Sequence, residues 1–161
     1  MPSSDQPLAA LGKLSPANTV IIGIGNTLKG DDAAGPTVCN GLRRVGVPAE
    51  IIDAGTVPEN YIQKVVDKRP RKVIIIDATD FAAPPGTIRL FEPDQLATRS
   101  FSTHMANPGL FIDLITRQTS ATVYFVGIQP AQTKLNTPLS DEIAAACTTT
   151  VRLITAAFGS T

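Results

Sequence analysis

A single histidine, His104, is all the imidazole available to this chain of 161 residues. Zinc sites built on two or three histidines are therefore excluded from its own residues. Cysteine is nearly as scarce. Cys39 and Cys147 lie far apart, form no Cys-x-x-Cys spacing, and read as small apolar side chains on helices. Tryptophan is absent and aromatics make up 5%, which removes the stacking platform of a nucleic-acid binder. Neither sign of charge is in excess. Lys+Arg and Asp+Glu are 14 each, so neither nucleic acid nor an anionic membrane surface is an expected partner. No apolar run approaches the ~18 residues of a membrane span. The stretch from Met1 to Asn18 is rich in Pro, Ser and Ala and lacks the basic start and apolar core of a secretory signal. Residues 1–18 are expected to form a flexible tail, and 19–158 a single domain in the cytoplasm.

What is present is a 43% hydrophobic content and an alternation of short apolar runs with helix-like stretches. Thr19 to Gly25, Lys72 to Asp77 and Ala121 to Ile128 are nearly continuous apolar runs, the pattern of strands buried on both faces. Glu50 to Asp53 is a shorter strand. Thr87 to Phe91 alternates polar and apolar residues, which suits an edge or antiparallel strand. Between them, helices are predicted from Asp31 to about Val45, from a capping-box pattern at Thr56-Val57-Pro58-Glu59, from Asn107-Pro108 and from Thr137-Pro138. The third of these is expected to bury Leu110, Phe111, Leu114 and Ile115. The predicted fold is α/β: a three-layer sandwich in one domain, with a mostly parallel twisted sheet of about five strands, one of them antiparallel, and helices on both faces.

In such folds sites form beyond the carboxyl ends of the strands. Three predicted strands end at or just before acids: Asp31-Asp32, Asp53 and Asp77. His104 precedes a predicted helix and can reach the same edge. Two carboxylates and one imidazole make a borderline ligand set with open positions. Each acid also has a plainer reading. Asp31 reads as a helix cap or a favourable charge at the helix start. Asp32 reads equally as cap or ligand, Asp77 as ligand or anchor of neighbouring amides, and Asp53 as structural. Gly23-x-Gly25 begins like a dinucleotide fingerprint but lacks the third glycine, and two carboxylates stand where pyrophosphate needs a bare helix start. No Gly-x-Ser-x-Gly, His-Glu-x-x-His or pepsin-like Asp-Thr/Ser-Gly motif is present.

The segment Gly23-Ile24-Gly25-Asn26 through Gly30-Asp31-Asp32-Ala33-Ala34-Gly35-Pro36 resembles the signature of the nickel–iron hydrogenase maturation endopeptidases. Asp53 to Asn60, Ile76 to Asp80, Pro85-Gly86, Ser102-Thr103-His104 and Val126 to Pro130 are similar to family segments in the same order. The last looks most like the type that serves formate-hydrogenlyase or hydrogenase-3-like enzymes. Ala33 departs from the family's usual glycine. The resemblance implies an endopeptidase, of a family often filed with aspartic peptidases, that removes the C-terminal extension of a hydrogenase large-subunit precursor after nickel insertion. It implies Asp32, Asp77 and His104 as nickel ligands, with nickel supplied by the precursor. Asp32 or Asp77 could also serve as general base. Asp31, Glu59, Thr103 and Gln129 are expected to stand behind them and orient ligands or peptide. The alternatives are a non-catalytic nickel-binding or chaperone module, and a nucleotide-binding domain.

Overall fold

Every residue of strand β1 (Thr19–Ile24) is buried in the computed structural model, which describes residues 6–92, 95 and 108–159. Strands β2 (Glu50–Gly55), β3 (Lys72–Ala78) and β5 (Thr122–Ile128) run parallel to it, and β4 (Ile88–Phe91) pairs antiparallel with β5 at the sheet edge. The order is β2-β1-β3-β5-β4. The chain steps outward from β1 to β2 and then to the other side with β3. A crevice opens at such a switch point, at the carboxyl ends of β1 and β3.

Successive side chains of a strand point to opposite faces, and each face is covered by its own helices. Ile21, Ile74, Ile76 and Val126 pack with Val38 and Leu42 of α1 (Ala34–Val45) and with Ile143 and Ile154 of α4 (Asp141–Ala157). Val20, Ile22, Ile75 and Phe125 pack with Val65 of α2 (Ile62–Asp67) and with Phe111 and Ile115 of α3 (Pro108–Gln118). Fully burying each aliphatic side chain stabilises by roughly 1.5–3 kcal/mol. These are the expected three layers, with the expected antiparallel strand.

Four local expectations are corrected. Residues 6–18 do not form a loose tail: Leu8, Leu11 and Leu14 are buried in the core, Leu14 N–H donates to Ala157 O, and Lys72 Nζ donates to Leu11 O. Three leucines in seven residues have apolar area to bury, and the sheet face beside α4 takes it. The capping box does not form. Val57 stands at the start of a 3-10 turn over Pro58–Tyr61 with no side-chain cap bond, because Pro58 occupies the first helical position. The last helix begins at Asp141 and not at Thr137. In α3, Phe111 and Ile115 are buried, but Leu110 is 54% exposed on the outer side.

Candidate functional site

The glycines of the first motif bring strand and helix into contact. A Cβ on Gly35, in the first turn of α1, would lie 2.2 Å from Ile24 O and 2.6 Å from Ile76 O. The start of α1 therefore rides directly on the ends of β1 and β3. A Cβ on Gly25 would lie 1.9 Å from Asp32 O. Only bare Cα atoms allow this approach, and it folds the loop after β1 back so that a 3-10 turn, Gly30–Ala33, sits over the sheet edge. Asp32 is the third residue of that turn. Asp77 is the last but one of β3, opposite Gly127 of β5. Both carboxylates come to the same edge at the switch point, and both are 0% exposed. The positive end of the α1 dipole faces the same edge and favours negative charge there.

Asp32 Oδ2 accepts the Asn26 backbone N–H at 2.7 Å. Asn26 Oδ1 in turn accepts Leu28 N–H at 2.9 Å, which holds the loop in shape. The glycine loop thus spends an amide on the protein's own carboxylate. This argues against the nucleotide reading, in which those amides must face a phosphate. Beside the loop an open cleft of about 500 Å³ is bounded by Gly25, Asn26, Pro36, Gly55, Val57 and Tyr61.

Asp31 does something the sequence did not disclose. Its carboxylate is 0% exposed and caps no helix of its own. Oδ2 accepts Ala131 N–H (2.9 Å), Gln132 N–H (3.0 Å) and Ser140 Oγ–H (2.8 Å), and Oδ1 accepts Ser140 N–H (2.7 Å). Backbone bonds from Asp31 N–H to Gln132 O and from Gly30 N–H to Thr137 O complete the seam. Ser140 is the residue before α4, so Asp31 ties the turn that carries Asp32 to the start of the last helix. The signal for Ser140 was present in the sequence: Ser140-Asp141-Glu142 is a helix start with acids in its first turn.

Gln129, 7% exposed, performs the matching task beyond β3. Its Oε1 accepts Phe81 N–H (2.8 Å) and Ala83 N–H (3.3 Å), and its Nε2 donates to Asp80 Oδ1 (3.2 Å). Segment 129–140 therefore clamps the segment that follows β3, through Gln129, and the turn that carries Asp32, through Asp31. Gln129→Ala would strand two backbone donors and is expected to cost about 1–3 kcal/mol. A urea midpoint unchanged from the parent protein would show that the loop repairs itself.

The remaining candidates divide. Glu59 follows β2 onto the same edge but is exposed to solvent. Asp53 accepts Gly55 N–H at 3.1 Å, the structural role expected of it. His104 and Thr103 lie outside the described residues. Among the described residues no three His, Cys, Asp or Glu side chains cluster as a metal site. Cys39 and Cys147 are buried. Desolvation, with Asp53 adding to it at Cys39 and Asp31 at Cys147, pushes both thiols up to about 12. Neither provides a thiolate nucleophile near neutral pH. Among the described residues no helix is long and apolar enough to cross a membrane.

A family model described as hydrogenase maturation protease matches residues 37–157. The hydrogenase 3 maturation protease of Escherichia coli is 36% identical over 115 residues, covering 69% of this chain and 72% of that protein. The crystal structure of a NiFe hydrogenase maturation protease, HycI, from Thermococcus kodakarensis superposes with a TM-score of 0.81 at 28% identity, over 89% of this chain and 94% of that one. A crystal structure titled as the hydrogenase 3 maturation protease gives 0.72 at 33% identity, over 84% and 87%.

Proposed function

This chain belongs to the hydrogenase maturation protease family, and from that premise we propose that it is an endopeptidase that removes the C-terminal extension of a nickel–iron hydrogenase large-subunit precursor once nickel is in place. The observation that carries the reading is the pair of fully buried carboxylates, Asp32 in the turn before α1 and Asp77 near the end of β3, at one edge of the sheet. Two carboxylates at the carboxyl edge of a parallel sheet, beside the positive end of the α1 dipole, are the hard donors a divalent ion takes. The adjoining cleft offers room for the peptide that enters with the metal.

In this reading Asp32, Asp77 and His104 bind the nickel that the precursor carries, and the metal is part of the substrate. Two carboxylates and a neutral imidazole suit a borderline divalent ion and leave positions for the precursor's own ligands. Binding the ion fixes the peptide beside it, which turns cleavage into an intramolecular problem of geometry. A carboxylate at this edge also has the chemistry to take a proton from an attacking water. Asp31 and Gln129 act one step back, Asp31 by holding the turn that bears Asp32 and Gln129 by holding the segment that follows Asp77 and β3.

The donor set contains no thiolate, so the affinity of the free protein for nickel is expected to be modest. Two mixtures test the order of events. Metal-free protein with nickel-loaded precursor is expected to cleave. Nickel-treated, desalted protein with nickel-free precursor is expected not to. Cleavage in the second mixture alone would overturn the reading in favour of a self-contained metalloprotease.

A further inference from the structure

The opposite, amino-terminal edge of the sheet carries a second feature that the site does not use. A groove of about 800 Å³ lies between the end of α2, the start of β3 and the turn from α3 into β5. Arg69, Arg71 and Arg117 line it, together with Gln118, Ser120 and the buried ring of Pro70, and no carboxylate and no aromatic ring is among its lining residues. In a chain of net charge zero, three guanidinium groups around one groove form a local excess.

Among the described residues neither Arg69 nor Arg71 makes an ion pair. Arg117 contacts Asp113 of its own helix through Nε at 3.0 Å, with both side chains well exposed. Such a pair is weak and yields to a better acceptor. Lys64 and Lys68, nearby on α2, are engaged by Glu50.

Arg69 adds an independent observation. It follows the last turn of α2 with φ 49°, in the left-handed region. This is the position where helices favour glycine, and a residue with a Cβ there carries a conformational cost. The fold does not call for an arginine: the only backbone bond it makes here, N–H to Val66 O at 3.0 Å, is one glycine would make equally. A cost without a structural return points to use of the side chain.

We infer that this groove docks a carboxylate-rich peptide segment of a protein partner. Guanidinium forks match carboxylates bidentately, and a groove of about 800 Å³ with arginines from two segments of the chain has room for more than one carboxylate. The lack of aromatic rings removes the stacking that a single-stranded nucleic acid would use. The inference stands apart from the peptidase reading, because the groove and the acids occupy opposite ends of the sheet.

The test is fluorescence anisotropy of a short labelled glutamate-rich peptide with the full chain at low salt. A glutamine counterpart and a single-stranded oligonucleotide are run beside it. The expected result is saturable binding of the glutamate peptide alone, weakened by salt and reduced about tenfold or more in Arg71→Gln/Arg117→Gln. Arg69→Gly is the decisive variant. It should melt above the parent, because glycine relieves the left-handed strain, and still bind the peptide more weakly. Equal binding of the glutamine peptide, tighter binding of the oligonucleotide, or undiminished binding by these variants would overturn the inference.

Discussion

Asp31→Ala is expected to lower the stability of the protein by about 3–5 kcal/mol, out of a total of about 5–15 for a domain of this kind. The carboxylate is buried and accepts three backbone N–H groups and one hydroxyl. Alanine leaves the partly buried amides of Ala131, Gln132 and Ser140 without their carboxylate acceptor. Asp31→Asn is not the mild change that a capping role would predict. One oxygen can replace Oδ2, but the amide nitrogen then faces the Ser140 N–H, donor against donor. About 2 kcal/mol is a reasonable cost. Ser140→Ala removes only the hydroxyl bond and should cost about 1 kcal/mol. Urea unfolding at constant m measures all three. The ranking Ala, then Asn, then Ser140→Ala is the content of the prediction. An Asp31→Asn variant as stable as the parent would show that the carboxylate is merely a charge at a helix start.

Asp32→Asn and Asp77→Asn should each slow processing of nickel-loaded precursor by at least about a hundredfold, while shifting the melting temperature little. Asparagine keeps an oxygen where Asp32 accepts the Asn26 N–H, so the loop can hold its shape. What it loses is negative charge, and with it the affinity for a divalent ion and the capacity to take a proton. His104→Ala belongs to the same series, with the same loss expected. Single-turnover cleavage followed on a gel, with melts run in parallel, separates a lost site from a lost fold. Either aspartate variant processing at the parental rate would remove that residue from the site. Loss of activity together with unfolding at room temperature would assign it to the structure instead.

Much of this architecture follows from the order of residues along the chain. β1, β3 and β5 are buried on both faces, so their near-continuous apolar runs, Thr19 to Ile24 above all, mark them directly. β4 meets sheet on one side only, and its alternating pattern records that. That Asp32 and Asp77 come to one edge of the sheet was legible for a related reason. An acid at the end of a buried run stands out against its neighbours, and the parallel topology sends strand ends to one edge. Local signals were weaker guides. Thr56 and Glu59 have capping-box spacing, yet Pro58 moves the turn by its own geometry. Leu8, Leu11 and Leu14 were hidden among Pro, Ser and Ala, and only the sheet face they cover makes them core residues.

The layers, the parallel strands and the antiparallel edge strand could be read from the chain alone, because hydrophobic periodicity and burial act within a few residues. What Asp31 does depends on the folded chain. Its acceptors' partners lie 100, 101 and 109 residues away, and no local rule reaches that far. The same holds for the clamp made by Gln129 across 48 residues and for the groove that joins Arg69 and Arg71 with Arg117. Hydrogen bonds and charge clusters of this kind exist only after hydrophobic burial has closed the chain, so their partners are set by the folded geometry and not by spacing.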